Sequence, residues 1–132
     1  ARLQARGAAG LVVDGAVRDV WQMRDIDLPV YTRHVNAAAI QRAVMAVEMD
    51  GIVTCKGVAV RPGDWLVGDP DGVVVVPASL AAEAAKYGAD HEDLETYLRE
   101  RVLGGAPLSE AYPPNETVRD AYRARYPGRP AD

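Results

Sequence analysis

The stretch from residue 51 to residue 77 reads GIVTCKGVAVRPGDWLVGDPDGVVVVP, and it decides the fold class. Short apolar runs alternate with turn signals at Lys56-Gly57, at Arg61 to Asp64 and at Asp69 to Gly72. This spacing is typical of β-strands joined in a meander that closes on a barrel or a sandwich. Val73 to Val76 has no polar alternation, so we expect both faces of this strand to be covered.

The residues before this stretch predict a strand, a helix and a second strand. Leu11 to Val13 form an apolar run within Gly10 to Gly15, and Asp14-Gly15 is predicted to end that strand at a turn. A short helix is expected from about Arg18 to Asp25. Pro29 to Arg33 is the next predicted strand, with proline at its first position.

After Pro77 the apolar spacing changes to that of a helix. Ser79 is expected to cap a first helix, which should break at Gly88, and a second should end at Gly104-Gly105. Asn115 is a good N-cap for a last helix. The tail after Gly105 is expected to be an arm laid over a neighbouring surface, because a single isolated helix is marginally stable. The whole pattern predicts a mixed α/β chain.

Composition excludes several classes of function. The 132 residues suffice for one domain, and 19 acidic against 15 basic side chains give a net charge of −4. A chain with this balance is not expected to bind nucleic acid directly. One cysteine, Cys55, cannot form an internal disulfide, which favours a reducing, cytoplasmic setting. No apolar run is long enough to cross a membrane, so no membrane partner is expected.

The first seven residues read as the last turns of a helix, with Gly7 in the left-handed position after its end. The chain also begins with Ala1 instead of methionine. We therefore expect the chain to be part of a longer polypeptide or one product of a longer precursor.

Three charged residues, Asp14, Arg18 and Asp19, lie between a predicted strand and a predicted helix. Ligands collect at such strand ends in α/β architectures. A carboxylate suits Mg²⁺ or Mn²⁺, and a guanidinium can bind a substrate carboxylate with two hydrogen bonds. By themselves, however, an Asp-Gly pair is more commonly a turn, and an adjacent arginine and aspartate are more commonly a solvated or salt-bridged pair.

An acidic cluster, from Asp90 to Asp93 together with Glu95, lies near the expected start of the second helix. One interpretation is favourable charge at the positive helix end. The other is a general acid or base that reaches another subunit.

Four blocks, taken together, resemble a known family. They are the run GAAGLVVDGAVRD at residues 7–19, Leu28 to Tyr31, Val58 to Asp64, and Asp69 to Pro77. Their order and approximate spacing are similar to the family of the regulator of ribonuclease activity A. Its enzyme members are the metal-dependent 4-hydroxy-4-methyl-2-oxoglutarate and 4-carboxy-4-hydroxy-2-oxoadipate aldolases.

The resemblance implies a swivelling β/β/α-type fold with a barrel-like β core and C-terminal helices. Residues 1–104 would be the C-terminal portion of the family domain, and residues 105–132 a helical extension. The resemblance also implies a homo-trimer or a hexamer, with sites between subunits.

Carried over by position, Asp19 would hold Mg²⁺ or Mn²⁺, and Arg18 would bind the carboxylate and oxo end of a small oxo-acid. The metal would act as a Lewis acid on the enolate that forms when a C–C bond breaks. Arg42 lies near the place of a basic substrate contact in relatives. Glu92 or Glu95 would be the glutamate lent by a neighbouring subunit.

The chain departs from the family signature in two places. Gln22 occupies the position of an acidic residue three places after Asp19. The family's glycine loop and a further catalytic aspartate would fall before Ala1. Two functions are thus predicted: a metal-dependent lyase, acting as a pyruvate-type aldolase or an oxaloacetate decarboxylase, and a non-catalytic protein-binding regulator of ribonuclease activity. Arg18-Asp19 favours the lyase.

Overall fold

The computed structural model describes residues 1–39 and 44–131, and it confirms the prediction of a mixed α/β chain. The chain divides into two compact units, Ala1–Ala78 and Ser79–Asp132. The first unit contains α1 Arg2–Ala5, β1 Leu11–Val17, α2 Val20–Arg24, β2 Val30–Val35, β3 Val53–Cys55, β4 Val58–Val60, β5 Trp65–Asp69 and β6 Gly72–Val76. The second unit contains α3 Ala81–Leu103, α4 Leu108–Ala111 and α5 Glu116–Arg125.

Strands β1 and β2 form a parallel pair connected through α2, as parallel strands require a crossover. Strand β1 does not end at Asp14-Gly15 as predicted; it continues to Val17. The pairing shifts between Val13 and Ala16, so β1 carries an extra residue there and then resumes its ladder. Thr32 Oγ1 donates to the Gly15 carbonyl at 3.0 Å, which satisfies the backbone at this irregularity. The Asp-Gly pair thus marks a bulge within a strand.

The two predicted hairpins are confirmed. Lys56 and Gly57 both have positive φ, at 49° and 85°, as a two-residue turn between twisted antiparallel strands needs. At the β5–β6 turn, Asp69 Oδ1 accepts the backbone N–H of Asp71 at 2.9 Å and of Gly72 at 3.1 Å. The side chain of Asp69 therefore supports this turn.

Within residues 1–39 and 44–131, the strands form three separate two-stranded pairs: β1–β2, β3–β4 and β5–β6. No closed barrel is present among them, and the barrel-like core remains a prediction. The expectation that both faces of Val73 to Val76 are covered is wrong, because Val74 is 64% exposed while its neighbours are half-buried. A two-stranded pair offers no second layer to cover the other face.

Helix α3 runs without a break through Gly88, so the predicted break is wrong. Glycine inside a helix costs about 1 kcal/mol relative to alanine. Lys86 Nζ and Asp90 Oδ2, 2.8 Å apart, form an i,i+4 ion pair that spans the glycine and supports this turn. Glu92 and Glu95 consequently lie inside a long helix, and the interpretation of their cluster as charge at a helix start is wrong.

The C-terminal tail packs on its own chain. Asn115 caps α5 as predicted, accepting the backbone N–H of Val118 at 3.0 Å. The fully buried apolar residues of the described chain form one cluster, made of Leu94, Tyr97, Leu98, Ala111, Val118, Tyr122 and Ala131. The tail after Gly105 thus lies over a neighbouring surface as expected, and that surface is α3, where the apolar side of α5 finds its partners. Across the described residues, no helix is both long and apolar enough to cross a membrane.

Candidate functional site

Arg18 and Asp19 lie between the end of β1 and the start of α2. Asp19 is the N-cap residue of α2 and adopts a left-handed conformation, with φ 60° and ψ 40°. Aspartate tolerates this conformation better than most residues, but it usually uses its side chain to cap the helix. Here the carboxylate makes no capping bond, and Oδ2 accepts from Arg18 Nε at 3.2 Å. The carboxylate is thus not used to cap the helix.

The Arg18–Asp19 pair is open to solvent, since the two side chains are 51% and 59% exposed. Adjacent ion pairs at such exposure contribute little to stability. The side chains of Arg18 and Asp19 are not required for the packing of the first unit. Both are therefore available for a ligand that brings a carboxylate and a divalent cation.

A second feature of α2 was not predicted from the sequence. The guanidinium carbon of Arg24 lies 5.2 Å from the centroid of the Trp21 ring, within the range of a cation–π interaction. Trp21 is 78% exposed, whereas Val20 and Met23 are half-buried on the other side of the helix. The i,i+3 spacing of an aromatic residue and an arginine was the signal available in the sequence.

The side chain of Asp14 connects elements of the first unit and does not lie in a free turn. Its Oδ1 accepts from the guanidinium of Arg33 at 3.1 Å, and its Oδ2 accepts the backbone N–H of Lys56 at 2.8 Å. One carboxylate thus ties β1 to β2 and to the β3–β4 turn. The Lys56 hydrogen bond, with help from Arg33, lowers the pKa of Asp14 below its usual value.

The lowered pKa of Asp14 predicts a pH-dependent contribution to stability. Because the folded state favours the ionised carboxylate, the contribution is fully present above the unfolded pKa of about 3.8 and disappears as the pH falls through the lower folded value. Asp14→Asn should therefore be less stable than the natural chain at about pH 6, and the difference should close towards about pH 2. Urea unfolding of both chains across this range measures it. A difference independent of pH would contradict the role of the charge.

Glu92 and Glu95 lie on α3 in the second unit, where both line a shallow depression. His91 Nε2 lies 3.4 Å from Glu95 Oε1. The depression has a volume of about 190 Å³ and is completed by Thr96, Arg99, Val102, Leu103 and Tyr112. The structure brings the two glutamates together on one side of the helix, close to a guanidinium. Arg42 lies outside the described residues.

The carboxylates of the described residues meet only part of what a divalent cation needs. Among the described residues, no group of three or more His, Cys, Asp or Glu side chains is placed to hold a metal ion. Mg²⁺ commonly binds through one or two carboxylates and completes its shell with water and substrate oxygens. A single exposed carboxylate at Asp19 fits this partial role, whereas the set does not form an all-protein cage.

Several proteins are similar to this chain in sequence. A protein of Halalkalibacterium halodurans, named "Putative 4-hydroxy-4-methyl-2-oxoglutarate aldolase", is 36% identical over 101 residues, which are 74% of this chain and 48% of that protein. A protein of Alkalilimnicola ehrlichii with the same name is 40% identical over 77 residues, which are 58% of this chain and 47% of that protein. The chain spans about half the length of the curated relatives it matches.

Two solved structures are similar in fold. An uncharacterized protein from Pseudomonas syringae pv. tomato matches with a TM-score of 0.79 and 28% identity, covering 84% of this chain and 56% of that one. Streptomyces coelicolor RraAS2, described as an unusual member of the RNase ES inhibitor RraA protein family, matches with a TM-score of 0.69 and 37% identity, covering 75% and 50%. The sequence model of the RraA-like family, described as Aldolase/RraA, matches residues 1–75. The resemblance seen in the sequence is thus confirmed, and the chain belongs to the RraA-like family.

Proposed function

We propose that the protein is a metal-dependent lyase that releases pyruvate from a small 4-hydroxy-2-oxo acid, with decarboxylation of an oxaloacetate-like acid as a related activity of the same site. The observation that carries the proposal is the exposed Arg18–Asp19 pair at the end of a parallel strand, with Asp19 diverted from helix capping. Relatives named as aldolases support the same reaction class.

In this proposal, Arg18 binds the carboxylate next to the oxo group of the substrate. Its guanidinium offers a planar fork of N–H groups, which matches a carboxylate better than an ammonium does. Asp19 would hold Mg²⁺ or Mn²⁺ through its carboxylate. The bound ion would supply Lewis-acid stabilisation of the negative charge that develops on the substrate oxygen as the C–C bond breaks. Arg18 would also orient that oxygen towards Asp19.

The proposal assigns acid–base work to Glu92 or Glu95, lent by a neighbouring copy in a homo-trimer or hexamer. Both glutamates are exposed and face one depression of the second unit, so either carboxylate is accessible to a partner. A carboxylate of this kind can hold the proton that the substrate hydroxyl gives up in retro-aldol cleavage. Arg42 stays a predicted substrate contact, and the cytoplasm is the proposed location.

A second candidate function is that of a non-catalytic protein-binding regulator of ribonuclease activity. The similarity to Streptomyces coelicolor RraAS2 favours it, because that protein is described within a family of ribonuclease inhibitors. In this function the Arg18–Asp19 pair would have no chemical role.

The deciding experiment measures pyruvate release from a 4-hydroxy-2-oxo diacid and from oxaloacetate after removal of metal with EDTA. Turnover should be absent in EDTA and return when Mg²⁺ or Mn²⁺ is added in excess. Because free metal ions themselves promote decarboxylation, each metal concentration needs a protein-free blank. No release above that blank would overturn the lyase and leave the regulator as the better explanation.

A further inference from the structure

The carboxyl ends of the parallel strands β1 and β2 bring Asn36 beside Arg18. The last pair of their ladder is Val17 with Val35, and beyond it the backbone N–H of Asn36 donates to the Val17 carbonyl at 2.9 Å. One further step in the same register places Asn36 opposite Arg18. Neighbouring strands lie about 5 Å apart, and residues opposite each other in a pleated pair share a face. The side chains of Arg18 and Asn36 therefore start from adjacent points on one face.

The side chain of Asn36 has one atom in use and one available to a ligand. Its Oδ1 accepts the backbone N–H of Ala38 at 2.9 Å. Only the oxygen of an amide can accept a hydrogen bond, so this contact decides which end of the side chain is Nδ2. Across the described residues, Nδ2 forms no hydrogen bond, and Asn36 is exposed. Two N–H donors thus remain beside Arg18.

Arg18 also keeps hydrogen-bond donors for a ligand. Its Nε donates to Asp19 Oδ2 at 3.2 Å, and the side chain is 51% exposed, so the two terminal nitrogens of the guanidinium remain. A carboxylate offers about four lone-pair positions on its two oxygens. It can therefore accept bonds from a guanidinium and still accept one more from a neighbouring amide.

We propose that Asn36 is a substrate-binding residue whose Nδ2 donates a hydrogen bond to the carboxylate bound by Arg18. The inference rests on the proposed function, in which Arg18 binds the carboxylate next to the oxo group of the substrate. The two strands then each supply one part of the carboxylate site. Arg18 supplies the charge, and Asn36 supplies a neutral donor that holds the same group without adding a further charge.

A purely structural role of Asn36 is the alternative that the experiment must exclude. Asparagine commonly bonds the backbone two residues further on, as Oδ1 does with Ala38. The hydroxyl oxygen of serine can accept the same N–H, whereas alanine has no acceptor. Asn36→Ser therefore preserves the turn and removes the amide donor, and Asn36→Ala removes both.

The binding test uses pyruvate, the product of the proposed reaction, and measures its Kd in the presence of Mg²⁺ by isothermal titration calorimetry. In Asn36→Ser, Kd for pyruvate should rise roughly 10- to 100-fold, the range for a lost hydrogen bond to a charged group. Pyruvamide carries a neutral amide in place of the carboxylate. Its Kd should rise by a smaller factor, because hydrogen bonds to neutral groups contribute less. Asn36→Ala should match Asn36→Ser.

The kinetic test follows turnover of a 4-hydroxy-2-oxo diacid. In Asn36→Ser, KM should rise by a similar factor while kcat changes little, because this carboxylate carries the same charge before and during C–C bond cleavage. Asn115→Ser is the matched control. Asn115 is an exposed asparagine of the second unit that accepts a backbone N–H, and serine is an equally good helix cap. It should leave Kd and KM unchanged.

Three results would overturn the role of Asn36. A loss confined to Asn36→Ala would assign the residue to the turn alone. An equal rise of Kd for pyruvate and pyruvamide would show an effect on the whole site. An equal loss in Asn115→Ser would show that the substitution acts through general stability.

Failure of this inference and failure of the proposed function are distinguishable. Asn36-dependent binding of pyruvate without turnover of any oxo acid would overturn the lyase and retain the carboxylate site. Turnover with the same pyruvate Kd in the natural chain and in Asn36→Ser would retain the lyase and overturn the role of Asn36. Absence of pyruvate binding to the natural chain also overturns that role.

Discussion

Replacing Asp19 with Asn is expected to reduce metal-dependent pyruvate release by roughly 100- to 1,000-fold in kcat/KM, the range seen when a group that stabilises transition-state charge is removed. Asparagine adopts the left-handed conformation of this position at least as readily as aspartate, so the backbone should be preserved. The substitution removes the negative charge that we assign to the cation. Asp19→Ala should be equally inactive and less well folded at the start of α2.

Asp25→Asn is the matched control, because Asp25 is an exposed aspartate at the other end of the same helix. It should retain full activity and the same Mg²⁺ requirement. Titration of activity with Mg²⁺ supplies a second readout, since Asp19→Asn should need far more metal for any residual turnover. Full activity in Asp19→Asn, or an equal loss in Asp25→Asn, would contradict the assignment of Asp19.

Replacing Tyr122 with Ala is expected to destabilise the helical unit by about 3–5 kcal/mol, the usual cost of removing a large aromatic side chain from a core. Tyr122 is completely buried and packs against two other tyrosines, with ring centroids 5.4 Å from Tyr97 and 5.2 Å from Tyr126. Alanine would leave the space of the ring empty. Urea unfolding followed by the helical circular dichroism signal measures the change.

Tyr122→Phe tests the hydroxyl group separately. In the described structure, the buried Tyr122 hydroxyl has no hydrogen-bond partner, and the guanidinium of Arg129 is paired with Asp93. Removing a buried, unsatisfied hydroxyl should change stability by less than about 1 kcal/mol or increase it. Tyr87→Ala serves as an exposed aromatic control and should have a small effect. A loss in Tyr122→Phe as large as in Tyr122→Ala would show that the hydroxyl is bonded.

Local sequence signals predicted the hairpins and the last helix well. Lys56-Gly57 and Asn115 are two examples, because the conformations they favour are decided by their own backbone and side-chain chemistry. Predictions were wrong where side-chain pairs or pairing with another strand decided the structure. Gly88 suggested a break, yet the ion pair of Lys86 and Asp90 supports the helix through it. Asp14-Gly15 suggested the end of a strand, yet pairing with β2 carries β1 past it.

The candidate site shows the same division. Arg18 and Asp19 became candidate site residues through the resemblance to the family, because by itself an arginine and an aspartate after a strand end more commonly form a turn and an ion pair. The left-handed backbone at Asp19 and the absence of a cap could not be read from residue types, since aspartate before a helix usually caps it. The stack of Arg24 on Trp21 depends on a side-chain rotamer, which sequence spacing permits but does not decide.

The sequence by itself determined the mixed α/β class and the family, and it supplied Arg18 and Asp19 as the predicted residues of the site. These follow from local conformational preferences and from motifs in a set order. Only the tertiary structure decided where Asp14 points, that α3 is one helix, and that α5 folds back on α3. Each of these depends on burial and on partners distant in the chain, and the free energy of such contacts exceeds the small preferences that a single residue expresses.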